Sequence, residues 1–350
     1  MSDPKQPDYS ARAAAAAAAL HRWYGRWSGL WRTTGWWNAA NALTAVIDYT
    51  GRTGDQAYVR VIDRTFRAAG RQHRHFLNRF FDDNGWWALA WLRAYDLTGE
   101  DRYLRAAGRI FGNVITAWDD TCGGGLWWNE DRAYKNAITN ELFLAVAARL
   151  HLRAPDGDTY LDWALREWDW FSASGIIGQK GLVNDGLTAD CRNNGKPAYT
   201  YNQGVILGGL ADLYQITGRE DFLRQGEAIA GAALRELTSP ASGPAPGVLV
   251  EPGEVQMAQD RRSGDGSQFK GIFVRNLYDF SLHCPRPEYR DFILRNAQSI
   301  WTNSRNAQNQ FGVRWTGPFD TADASRQSSA LEALTAAAAL TAPAAPGAGR

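Results

Sequence analysis

One phrase recurs along this chain and constrains its fold more than any other feature. It is a Tyr-containing helix end, a short turn with Gly or Pro, then an aromatic residue that opens another helix. It occurs as Tyr49-Thr50-Gly51 before Tyr58-Val59, as Tyr95-Asp96-Leu97-Thr98-Gly99 before Tyr103-Leu104, and as Tyr214-Gln215-Ile216-Thr217-Gly218 before Phe222-Leu223. Looser copies are Leu152-Arg153-Ala154-Pro155-Asp156-Gly157 before Tyr160, and Cys284-Pro285-Arg286-Pro287 before Tyr289. Successive copies lie 46 to 70 residues apart, as in chains built from repeated supersecondary units. Gly after Thr reads as a helix C-cap, because it tolerates left-handed backbone. The acidic residues that follow suit a helix N-terminus, where the dipole favours negative charge.

Between the phrases, apolar residues recur at helical spacing, as in Trp87, Trp91, Ala94 and Tyr95. These stretches predict twelve helices, starting near residues 10, 37, 56, 84, 101, 135, 158, 201, 219, 266, 287 and 322. Six helix pairs can close into a ring. The expected fold is therefore all-α, an (α/α)6 barrel forming one domain over residues 1–340. An open solenoid of the same pairs is the alternative. Residues 341–350, rich in Ala, Pro and Gly, are expected to be a disordered tail. Short hairpins are expected around 176–200 and 238–264.

The charges nearly cancel, with 38 basic against 37 acidic residues, so neither nucleic acid nor an anionic membrane is an expected partner. The first residues lack a basic segment followed by a strongly apolar one, and Ala13 to Ala19 is too short to span a bilayer. A cytoplasmic location is expected, or a secreted one if a leader has been removed, and the protein is expected to be a monomer. Cys122, Cys191 and Cys284 are odd in number and show no Cys-x-x-Cys spacing. A Cys122–Cys191 disulfide and three free thiols both remain open. The five His show no metal-site spacing, and no phosphate-cradling glycine motif occurs, so no metal and no cofactor are expected.

The 16 Trp residues include three doublets, Trp36-Trp37, Trp86-Trp87 and Trp127-Trp128. An indole can lie against a sugar ring while its N–H finds a partner, although large helical cores also use Trp as filler. The second helix of each predicted pair starts with polar groups. These starts are Trp36-Trp37-Asn38, Asp82-Asp83-Asn84-Gly85-Trp86-Trp87, Lys135-Asn136, Tyr201-Asn202-Gln203, Gln268-Phe269-Lys270 and Arg326-Gln327. Any one of them could be a cap satisfying free N–H groups. Together, at one end of an inner ring, they would line a single cavity suited to a polyhydroxylated ligand.

Asp82-Asp83 is the sharpest candidate for chemistry. Two close carboxyls push their proton affinities apart, which leaves one protonated and one ionised. Cleaving a glycosidic bond takes such a pair, and carboxyls about 5–5.5 Å apart serve a retaining mechanism. An irregular helix start would let both side chains face the cavity. Asp119-Asp120, before Gly123 to Gly125, reads as a solvated turn, and Asp265-Gly266 as another turn. Asp185 and Asp190 lie in a Gly- and Asn-rich loop, where they would either bind sugar hydroxyls or shape the loop.

At this point the sequence resembles glycoside hydrolase family 76, the α-1,6-mannanases. The resemblance is carried by Phe81-Asp82-Asp83-Asn84-Gly85-Trp86-Trp87, Gly124-Gly125-Leu126-Trp127-Trp128-Asn129, Tyr134-Lys135-Asn136-Ala137-Ile138-Thr139-Asn140, Tyr199-Thr200-Tyr201-Asn202-Gln203-Gly204 and Phe269-Lys270-Gly271-Ile272-Phe273-Val274-Arg275, in that order. It implies an (α/α)6 barrel and retaining endo-hydrolysis of α-1,6-linked mannan or manno-oligosaccharides, with Asp82 as nucleophile and Asp83 as acid/base. The expected substrate-binding set is Trp37, Asn38, Trp86, Trp128, Asn129, Lys135, Asn136, Asn140, Asp185, Tyr201, Asn202, Gln203 and Lys270. Mannan transglycosylation, a sugar epimerase using His on the same barrel, and a non-catalytic glycan-binding protein are the rival readings.

Overall fold

The computed structural model describes residues 7–153, 159–260 and 264–343. Twelve long helices and one short one are found among them. They are α1 (Tyr9–His21), α2 (Trp36–Thr53), α3 (Val59–Gln72), α4 (Phe81–Thr98), α5 (Asp101–Val114), α6 (Ala137–Arg153), α7 (Thr159–Ala173), α8 (Thr200–Thr217), α9 (Glu220–Glu236), the short α10 (Glu254–Gln259), α11 (Phe269–Ser281), α12 (Pro287–Asn303) and α13 (Ala324–Thr341). Apart from α7, each long helix starts within three residues of its expected position. The start expected near 158 and most of the expected tail, from 344 onward, lie outside the described residues.

Closure of the ring is direct. The inner helices α2, α4, α6, α8, α11 and α13 pack in that order, and α13 returns to pack on α2. This closure excludes the open solenoid. The outer helices α1, α3, α5, α7, α9 and α12 alternate with them along the chain and lie against the ring from outside. Inner helices are buried almost all round, as Ala39–Thr50 of α2 and Ala324–Ala338 of α13 illustrate. Outer helices bury only one stripe.

The turn phrase does what its chemistry requires, with one adjustment. Gly99 and Gly218 take left-handed backbone at the ends of α4 and α8, and their N–H groups bond Tyr95 and Tyr214 carbonyls. In the first copy, Gly51 lies inside α2, and the cap is Gly54. Outside the helices, a two-residue hairpin pairs β1 (Tyr24–Gly25) with β2 (Leu30–Trp31). The hairpins expected at 176–200 and 238–264 are isolated bridges among the described residues, such as Ile177 with Val183 and Thr238 with Leu249, and the second segment also carries α10. Among the described residues, no helix is long and apolar enough to cross a membrane.

The two ends of the ring differ in chemistry. Inner-helix residues near the C-terminal end carry a buried ion-pair network. Arg93 bonds Asp48 at 2.7 Å and also Asp279, Arg52 reaches Asp279 at 2.6 Å, and Arg149 reaches Asp212 at 2.7 Å. Arg275 pairs with Glu332 and donates to Asn41. Each charge there has a partner, as burial demands. The N-terminal end opens as a cleft.

Candidate active site

The acidic pair lies in the first turn of α4, not in an irregular segment before it. Successive helical residues point about 100° apart, so the two carboxyls diverge. Asp82 forms part of the wall of a cavity of about 400 Å³, and Asp83 is not among its wall residues. Asp83 instead borders the cleft, half-buried and near enough to the Asp265 carboxylate on that wall to be raised by it.

Each carboxyl is held by named donors. Asp82 accepts the Trp128 indole N–H at 3.0 Å and the Asp83 backbone N–H at 3.0 Å. Asp83 accepts the Asn78 amide at 2.6 Å. Asn84, fully buried, fixes Asn78 by bonding its N–H at 2.8 Å and its carbonyl at 3.0 Å. The neighbouring loop is clamped to this turn, since Phe81 N–H donates to the Trp128 carbonyl and Glu130 N–H to the Arg79 carbonyl. No Lys, Arg or His forms an ion pair with either carboxyl among the described residues. Burial, and then the neighbouring Asp83 charge, push Asp82 well above the usual carboxylate range. Burial also pushes Asp83 up to about 6, against the Asn78 hydrogen bond and with help from Asp265. Both shifts favour the protonated form, the direction that acid/base chemistry uses.

Aromatic rings build the cleft. Trp37, Trp86, Trp128, Tyr134, Tyr199, Tyr201 and Phe269 wall it with Asp82, Asn136, Asp185, Lys196 and Asp265. Tyr201 stacks flat on Phe269 at 3.8 Å, and Trp37 stacks on Trp86 at 5.7 Å. Each Trp doublet is divided: Trp37, Trp86 and Trp128 face the cleft, while Trp87 is fully buried and Trp127 bonds Asp119 at 2.6 Å. Asp185 accepts from the Tyr134 hydroxyl and from Asn194, and lies 3.4 Å from the Lys196 ammonium. Asn136 is both a cap, accepting Thr139 N–H at 3.3 Å, and a wall residue.

Several expected substrate contacts are structural instead. Lys135, 2% exposed, drives its ammonium into Asp119 Oδ1 and the carbonyls of Asp119, Thr121, Gly124 and Gly125, all at 2.7–3.1 Å. Lys270 is buried against Glu254 at 2.6 Å, with Trp315 beneath it. Asn38 pairs with Gln268, Asn129 caps a turn by accepting Asp131 N–H, and Asn140 bonds both backbone groups of Leu126. Gln203 pins the 176–200 loop through both backbone groups of Val183. Asn202 is fully buried and is not a wall residue. Asn38, Lys135, Asn202, Gln203 and Lys270 were expected in the cleft from their place at inner-helix starts, and Asn129 and Asn140 from the family resemblance. All but Asn202, whose amide has no hydrogen-bond partner among the described residues, hold neighbouring segments in place.

The second acidic pair is also corrected. Asp120 is a solvated turn residue, but Asp119 is bonded by Trp127, Lys135 and Thr121. Although burial pushes Asp119 up, these bonds outweigh it and hold its carboxyl well below the usual range. Asp190 shapes its loop through Thr188 and Arg192. A Cys122–Cys191 disulfide joins this loop to the glycine loop, with Cys284 buried and free.

Sequence reasoning missed Asp265, Tyr134, Lys196, Tyr199 and Phe269 as wall residues, and Asn78 as the partner of Asp83. Asp265 was read as a turn, yet it accepts the Trp37 indole N–H at 3.0 Å across the cleft. Its position just before the α11 start was the available signal. Asn78 had none, because its contact depends on the tertiary path of the 73–80 loop.

An (α/α)6 ring with an aromatic cleft and a buried carboxyl pair at an inner-helix start is the arrangement of a glycoside hydrolase. The chain belongs to glycosyl hydrolase family 76, whose family model matches residues 9–348. Among solved structures it is similar to an α-1,6-mannanase of Salegentibacter sp. HEL1_6, at 26% identity and TM-score 0.84, over 95% of this chain and 100% of that one. It is also similar to the Lin0763 protein of Listeria innocua, at 26% identity and TM-score 0.84, over 95% and 97%. Mannan endo-1,6-alpha-mannosidase DCW1 of Candida albicans is 32% identical over 209 residues, which are 53% of this chain and 46% of that protein. The match thus spans about half the length of this curated relative.

Proposed function

We propose that this chain is a retaining, endo-acting glycoside hydrolase that cleaves α-1,6-linked mannose chains as a monomer. The observation that carries the reading is the adjacent carboxyl pair, raised in proton affinity and held without a cation at the side of an aromatic cleft. The Salegentibacter mannanase was obtained with α-1,6-mannotetraose in a variant inactivated by replacing two consecutive aspartates with alanine. That supports both the substrate class and the use of such a pair.

In this reading Asp82, on the cleft wall and oriented by Trp128, attacks the anomeric carbon. Asp83 gives its proton to the departing glycosidic oxygen. Water then releases the covalent glycosyl ester, with Asp83 taking the water's proton. In the free protein the deeper burial of Asp82 draws the shared proton toward it. The assignment requires that proton on Asp83 when sugar fills the cleft, and the Asp265 charge beside Asp83 favours that shift. No His is among the cleft-wall residues, which weighs against the epimerase. The disulfide supports an oxidising compartment outside the cytoplasm.

The test is incubation with linear α-1,6-mannan, with chromatography and anomeric NMR of the first products. Internal fragments that are α-configured at release are expected. First products in the β configuration would overturn retention, and an intact polymer would overturn hydrolysis. Products longer than the input would instead establish glycan transfer. Azide rescue of Asp82→Ala and Asp83→Ala separates the roles: the nucleophile variant should yield the β-mannosyl azide and the acid/base variant the α.

A further inference from the structure

A second cavity, of about 430 Å³, takes into its wall the residue that holds Asp83. Its wall includes Trp36, Gln72, His73, Arg74, Asn78 and Arg79. Asn78 is common ground, since its amide holds Asp83. Trp36 and Trp37 are chain neighbours with one on each cavity. One cavity thus includes Asp82 in its wall, and the other includes the amide partner of Asp83. The cleft wall carries Asp82, Asp185, Asp265 and Lys196, whereas the described wall of the second cavity carries two guanidinium groups and no carboxylate.

The backbone sets this up at a cost. Arg74, His75 and Phe76 are three consecutive residues with left-handed φ of 44°, 56° and 74°. Such residues cost about 1–3 kcal/mol each and persist only where the surroundings enforce them. Here the anchor is Phe76, buried against Trp87 and Trp91 with ring centroids at 4.9 and 4.7 Å. The result is that Arg74 is thrust outward onto the cavity wall, and its side chain makes no ion pair among the described residues. Arg79 has one partner, Asp131, and both of those side chains are more than half exposed. His73 packs on Trp36 at 4.2 Å, and burial pushes its proton affinity down, so the positive charge at neutral pH comes from the arginines. Gln72 donates to the carbonyl of Trp27, whose indole is 94% exposed at the hairpin tip.

We propose that this second cavity binds a phosphoryl group carried on the glycan, seated on Arg74 and Arg79. Guanidinium forks match phosphate oxygens in geometry and charge. The inference rests on the mannan-cleaving reading of the cleft, and its test is arranged so that the two can fail separately. Two probes are compared, a neutral α-1,6-mannotetraose and the same tetrasaccharide with one phosphate monoester. Binding is measured by calorimetry on Asp82→Asn, and kcat/KM on the active protein. The phosphorylated probe should be favoured by about tenfold. That preference should vanish in Arg74→Ala/Arg79→Ala, and in about 0.5 M salt, with turnover of the neutral probe unchanged. Equal binding of the two probes overturns the inference, as does a preference that survives the double variant. Failure to cleave either probe counts against the hydrolase reading, while the calorimetry still decides the phosphate site.

Discussion

Two Asp-Asp dipeptides occur in this chain within forty residues of each other, and the fold gives them opposite chemistry. Asp82-Asp83 starts an inner helix, meets only neutral donors, and is raised in proton affinity by burial and by neighbouring carboxylates. Asp119-Asp120 lies in a loop where Asp119 meets Lys135 and an indole N–H and is lowered. The aromatic residues on both sides of Asp82-Asp83 rank the two pairs in sequence, and the fold supplies the physical reason. What separates reactive carboxyls from structural ones here is whether the surroundings supply a cation.

The contrast is broken most severely by removing the reactive pair. Asp82→Asn and Asp83→Asn should each lower kcat/KM on linear α-1,6-mannan by about 10⁴-fold, with thermal stability unchanged or raised because a like-charge repulsion is relieved. Normal turnover in either would end the proposed mechanism. Next is Lys135→Met, which strands Asp119 and four carbonyls. A loss of about 3–5 kcal/mol of stability is expected, read by denaturant unfolding, with activity falling as the glycine loop loosens. A stable Lys135→Met protein with impaired substrate binding would instead restore Lys135 as a sugar contact. Trp128→Phe keeps the ring but removes the N–H donated to Asp82, and should cost about 10–100-fold in kcat with little change in melting temperature.

The smallest effects sharpen the comparison through pH. Raised carboxyls bind protons more tightly in the folded state, so the stability owed to the Asp82-Asp83 pair is full below the ordinary carboxyl range and is lost as pH rises through about 6. The lowered Asp119 has the opposite sign: its contribution is present above the ordinary range and is lost as pH falls below it. Asp83→Asn should flatten the first slope and the alkaline limb of kcat/KM, and Asp119→Asn only the acid slope. Unfolding and rate profiles across pH would show whether the two slopes separate in this way.

The fold was legible because helical periodicity and Gly caps are local, and local signals survive in sequence. The acidic pair was legible for the same reason, as were Trp37, Trp86, Trp128, Asn136, Asp185 and Tyr201 on the cleft wall. The failures have one physical cause. Lys135, Asn140, Gln203 and Asn38 share the inner-helix start with the true wall residues, but a helix turns 100° per residue, so neighbours point alternately at the cleft and at the loops that roof it. Position along the chain gives the level in the barrel and leaves the direction open. Asp265 was missed for a related reason, because Asp-Gly reads as a turn whether or not its carboxylate ends up facing a ligand.

Lys135 carries one more consequence. Five oxygens crowd around its single ammonium, a shell of the kind that proteins elsewhere build around calcium. Here the central ion is tethered by a covalent stem, so the glycine loop takes its shape without drawing on any dissolved ion, and neither a chelator nor dilution can strip it away.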